Sequence, residues 1–137
     1  MKTLLVFLFL MMTAVFAQDD WVESVFRVEE HDGSIGGYHR SMTFSNTLEG
    51  NIVFLSEKGK SHSETNVILT ENIRRLRDAL SISQGYFETG SKPLKRPYIS
   101  VDYVQKGAIK NILFLVDDNA KLKETYTKIF MDCSLLK

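Results

Sequence analysis

Hydrophobic and polar positions along this chain follow two periods. From Trp21 to Glu30, Val22, Phe26 and Val28 alternate with Glu23, Arg27 and Glu29, the pattern of a half-buried strand. Tyr38–Ser45 alternates again, with Tyr38, Arg40, Met42 and Phe44 on one face, and Asn51–Glu57 is apolar on both faces at its centre. These two runs read as a hairpin whose loop exceeds the two-residue minimum. Glu57–Asn66 is polar and reads as a loop, with Val67–Leu69 a short apolar lead into the next segment. There the period lengthens. In Thr70–Phe87, Ile73, Leu76 and Leu80 fall at i, i+3 and i+7 and share one face of a helix, with Thr70 a candidate N-cap. Glu71–Arg75 and Arg74–Asp78 are i,i+4 pairs of opposite charge, and Gly85 can supply a positive φ just past the helix end. Glu88–Pro97 holds both prolines and reads as an exposed loop. Tyr98–Val104 and Ile109–Val116 are strands by their β-branched and aromatic content, joined by a Lys106-Gly107 turn. Ala120–Met131 is mixed. Leu122, Tyr126, Ile129 and Phe130 have helical spacing but Thr125, Tyr126, Thr127 and Ile129 favour a strand, so the segment reads as helix at its start and extended by Phe130.

Strand-like runs and a single clear helix predict a mainly β domain, β-sandwich-like, with one short amphipathic helix on an edge or across one end. The alternative is an α+β layer with two helices. The first 17 residues, MKTLLVFLFLMMTAVFA, combine a lysine, an apolar run and a small-residue cleavage pattern, and are expected to be a secretory signal peptide. A membrane anchor fits less well, because the run is shorter than the ~20 residues a bilayer needs. Residues 18–137 then form one domain, expected in the endoplasmic reticulum lumen or secreted.

Charge removes some partners. The chain carries 17 basic and 17 acidic residues, and loss of Lys2 leaves 16 against 17. That balance argues against nucleic acid and gives no polybasic membrane anchor. The basic group Lys92, Lys95, Arg96 reads as a solvated loop. No Asn-x-Ser/Thr acceptor for N-glycosylation occurs.

Candidate chemistry is sparse. His31, His39 and His62 sit in three segments without a zinc-type spacing and read as surface or loop residues, so no metal or cofactor is expected. Glu29-Glu30-His31-Asp32 is acidic but lacks the EF-hand pattern. No Gly-x-Ser-x-Gly elbow marks a nucleophile, so no catalytic residue and no small-molecule substrate is assigned. The one cysteine, Cys133, reads either as a small buried hydrophobe or as half of a bridge to a partner outside the chain.

Several segments, taken in order, resemble subunit 10 of the endoplasmic reticulum membrane protein complex. They are Arg40-Ser41-Met42-Thr43-Phe44, the run from Gly50 to Ser56, the helix from Leu69 to Leu80 leading into Gly85-Tyr86-Phe87, and Tyr126–Leu136 around Cys133-Ser134-Leu135. Ser91–Glu124 has no counterpart, and the family continues beyond Cys133 with further strands, a second cysteine and a transmembrane helix. The resemblance implies a non-catalytic, β-sandwich lumenal subunit. It would dock on the other lumenal subunits of an insertase for tail-anchored and multipass proteins and touch the membrane only indirectly. Cys133 would be half of a disulfide, and Arg74, Arg75 and Arg77 are candidate partner contacts. The alternative is a freely secreted binding or signalling module.

Overall fold

A computed structural model describes residues 21–34, 37, 39–48, 50–59, 64–87 and 95–135; the expected signal peptide, His62 and Lys92 lie outside the described residues. The chain runs β1 (Val25–His31), β2 (His39–Phe44), β3 (Ile52–Glu57), β4 (Glu64–Val67), α1 (Thr70–Ile82), β5 (Tyr86–Phe87), β6 (Tyr98–Gln105) and β7 (Ala108–Leu115). A 3-10 turn at Val116–Asp118 then leads into α2 (Ala120–Leu135). The strands form one seven-stranded antiparallel sheet in the order β4-β3-β2-β1-β6-β7-β5.

The domain is mainly β. Its covering layer is helical, as in the α+β alternative: α1 and α2 bury their apolar faces in the same core cluster as the strands, where a sandwich would place a second sheet. Val28, Met42, Val53, Leu55, Ile99, Val101 and Phe114 supply the sheet side of that core. Ile73, Leu76 and Leu80 from α1 and Leu122, Tyr126, Ile129, Phe130 and Cys133 from α2 supply the other.

Helix α1 is the crossover between the two edges of the sheet. It receives the chain from β4 and delivers it to β5 on the opposite edge. Six inter-strand spacings make the sheet about 29 Å wide, and the 13 residues of α1 span about 20 Å. The helix and its short leads therefore reach across a face, neither lying along an edge nor closing one end.

Local chemistry differs from the sequence expectation at several points. Residues 21–23 are helical, and the β1–β6 register shifts between Val25 and Arg27. The bulge breaks the expected Val22–Phe26–Val28 face and turns Val25, Val28 and Glu30 inward. Leu69, not Thr70, is the N-cap of α1, and no side chain caps that end. Gly85 needs no positive φ. It is glycine because a Cβ there would lie 2.6 Å from the Phe114 ring and 2.8 Å from the Leu113 carbonyl oxygen. Glu64–Val67, expected as the end of a polar loop and the start of an apolar lead, pairs with β3 as an edge strand. Helix α2 continues through Phe130 to Leu135, because burying Tyr126, Ile129, Phe130 and Cys133 on one stripe outweighs the strand preference of its threonines and tyrosine. The Lys106-Gly107 turn is as expected: φ is 51° and 76°, the two positive values of a two-residue type I′ hairpin.

Candidate functional site

The helices cover one face of the sheet, and the outward side chains of β1, β2 and β6 form a largely polar opposite face. Asn111 donates from Nδ2 to Ser100 Oγ and to Asp102 Oδ1, each at 2.7 Å. Arg27 Nη1 lies 3.8 Å from both Asp102 Oδ2 and Glu29 Oε1. These contacts lead across the strands to the densest chemistry on this face.

Antiparallel pairing sets His31 of β1 opposite His39 of β2, and also opposite Tyr98 of β6. Glu29 lies two residues before His31 and therefore on the same face. Its Oε2 is 3.2 Å from His31 Nε2 and 3.5 Å from His39 Nε2, while its Oε1 faces Arg27. The imidazole centroids are 4.5 Å apart, and the Tyr98 ring stacks on His31 at 4.6 Å and 11°. All three side chains are half-buried, at 22–32% exposure. The hydrogen bond with His31, opposed by burial and aided by the charge of His39, holds the Glu29 carboxyl below its ordinary range. Sequence spacing read His31 and His39 as scattered surface or loop residues. Both are strand residues that cross-strand register brings together, a juxtaposition that the 31–39 interval does not reveal until the hairpin is paired.

On the opposite face the sheet holds a second charged group. Buried Glu30 accepts from Arg40 Nη2 at 2.7 Å and Nε at 3.0 Å, and Lys123 of α2 bridges to its other oxygen. The Arg40 guanidinium also lies 4.9 Å from the Phe130 ring centroid. Burial pushes the Lys123 ammonium below its usual range. These charges tie α2 to the sheet; the protein encloses Glu30 and Arg40 and leaves Lys123 a third exposed.

The other sequence candidates have separate places. Arg74 and Arg75 are exposed on α1 and both bridge to Glu71, at 3.2 and 3.1 Å. Arg77, expected in solvent with them, is half-buried with its Nε enclosed. Arg75 helps line a groove of about 350 Å³ between the helices, together with Asp78, Lys121, Glu124 and Lys128. Its mixed charge selects no ligand class. Cys133 is fully buried in the core, where burial and the nearby Asp132 push its thiol up to about 11. It therefore packs as a small hydrophobe, and a bridge to another chain requires this part of α2 to open. Arg96 of the basic loop pairs with Asp117 at 2.8 Å on the surface.

One edge is apolar. Ile52 and Val67 are directly paired across β3 and β4, and Phe54 lies two residues along on the same face; they are 49%, 58% and 43% exposed. Leu69, just past β4, is 53% exposed. The sequence signal was present in the two-faced apolarity of Asn51–Glu57, which implied a strand apolar beyond the needs of one core.

Fold and site together define a mainly β domain with helices on one face, a polar face opposite and an apolar sheet edge. No helix among the described residues is long and apolar enough to cross a membrane. No family model, no curated protein and no solved structure matches the chain.

Proposed function

We propose that this domain is a non-catalytic binding module of the secretory pathway that works through protein–protein contacts. The observation that carries the reading is the apolar edge: Ile52 and Phe54 of β3 and Val67 of β4, an edge strand of the sheet, form an outward cluster. Strands at an edge retain unpaired backbone groups, and apolar side chains beside them suit a partner that adds a strand or caps the edge. The motif resemblance supplies the partner: the other lumenal subunits of the endoplasmic reticulum membrane protein complex, which this domain would support in membrane-protein insertion. The leader-like first 17 residues agree with entry into that compartment.

Affinity purification of the tagged chain from microsomes tests the reading. Recovery of those subunits is expected, with a marked loss for Phe54→Lys and Val67→Lys, whose sites are exposed enough to accept lysine. Recovery of none of them overturns the partner, and undiminished recovery with both variants overturns the surface. Accumulation of intact chain in the culture medium, with none in microsomes, would favour the freely secreted binding module.

A further inference from the structure

We propose that Glu29, His31 and His39 form a zinc site on the open face of the sheet. Two imidazoles and a carboxylate make a borderline donor set suited to Zn²⁺ and poorly suited to Ca²⁺ or Mg²⁺, which take oxygen. The three candidate ligand atoms all lie within 4.8 Å of one another. A tetrahedral ion with bonds of about 2.0–2.1 Å separates its ligand atoms by roughly 3.3 Å. The Glu29 Oε2 distances to the two Nε2 atoms, 3.2 and 3.5 Å, bracket that edge, so two edges of the tetrahedron are already formed.

The surroundings hold these groups in place. All three ligands project from paired strands, where backbone hydrogen bonds fix their spacing. Tyr98 stacks on one face of the His31 ring, and Arg27 stands beside Glu29 Oε1, leaving Oε2 directed at the imidazoles. Three protein ligands leave a fourth position for water, the layout of an open zinc site. This inference is independent of the partner proposed above, because the apolar edge at β3–β4 shares no residue with it.

Calorimetric titration of the metal-free chain lacking residues 1–17 with Zn²⁺ tests it. One ion per chain is expected, and Co²⁺ in its place should give the visible absorption of a tetrahedral centre. His31→Ala, His39→Gln and Glu29→Gln should each weaken binding by at least roughly 100-fold, more than loss of a supporting hydrogen bond costs. His62→Ala should leave it unchanged. Proton NMR of the unmodified chain guards against a variant that fails to fold, since Zn²⁺ should move the imidazole resonances of His31 and His39 together. No binding by the unmodified chain, equal binding after loss of either histidine, or shifts confined to His62 would each overturn the site, leaving the cluster a hydrogen-bonded group alone.

Discussion

Asn119 joins three backbone groups through one side chain. Its Nδ2 donates to the carbonyls of Gln84 at 3.0 Å and Leu115 at 2.8 Å, and its Oδ1 accepts from the Gln84 N–H at 2.8 Å. One buried amide thus fastens the exit of α1 to the entry of α2, where its own carbonyl accepts the first helical N–H, from Lys123. Truncation leaves both Gln84 backbone groups without this partner. Asn119→Ala should cost about 2–3 kcal/mol in urea unfolding, against a near-neutral change for the exposed Asn46→Ala. Cys133 gives a second residue-scale expectation. Its thiol is raised from 9.0 to about 11 in the folded chain. The folded state therefore favours the neutral thiol, and the stability this contributes is complete below pH 9 and fades as pH rises toward about 11. Cys133→Ala should lack that part of the alkaline decline in a pH series of denaturant midpoints. An identical slope in both proteins would show that the thiol does not titrate across folding.

At the scale of elements, the Glu30–Arg40–Lys123 group decides how α2 seats on the sheet. Glu30→Gln keeps the shape but removes the negative charge that balances Arg40 and Lys123, and should cost about 3–5 kcal/mol. The double variant Glu30→Met with Arg40→Met should recover most of that loss, because a packed apolar pair needs no partner. Unfolding free energies of the two variants make the comparison, and equal losses would assign the effect to packing alone. The β6–β7 turn offers the opposite sign. Lys106 holds a φ of 51°, which costs a side chain other than asparagine or glycine. Lys106→Asn should stabilise by about 0.5 kcal/mol. Most elements were legible in the sequence. Alternation at Tyr38–Ser45 and the Lys106-Gly107 turn found β2, β6 and β7, and the period of Ile73, Leu76 and Leu80 found α1. Edge strand β4 was hidden because only its pairing with β3 makes Glu64–Val67 extended. The end of α2 was hidden because Thr125, Tyr126, Thr127 and Ile129 before it carry a local preference for extended chain.

For the molecule as a whole, the crossover is the organising fact. Helix α1 passes from one edge of the sheet to the other, and one core cluster joins both helices to the strands. No part of that cluster can be exposed without the rest losing its cover, so unfolding should be a single transition. Labelling of Cys133 by a thiol reagent and loss of far-ultraviolet circular dichroism should share one denaturant midpoint. Thiol exposure at lower denaturant would show that α2 detaches alone. The same layout keeps two surfaces apart: the helices cover one face, and the open face presents the Glu29–His31–His39 cluster and, at its β3–β4 margin, the apolar edge.

The sequence by itself determined the β-rich class, the amphipathic face of α1 and the shared face of Met42 and Phe44, because these follow from periods within a few residues. Tertiary structure alone decided what lies opposite what. Cross-strand register, set by backbone hydrogen bonds between segments, placed His31 against His39 and Glu29, and Ile52 against Val67. Burial against the sheet turned Thr125–Phe130 into helix and enclosed Glu30 and Arg40 beneath it. Periodicity along a chain reports which face a residue takes. Only the pairing of distant segments reports its neighbours, and the chemistry of this domain resides in those neighbours.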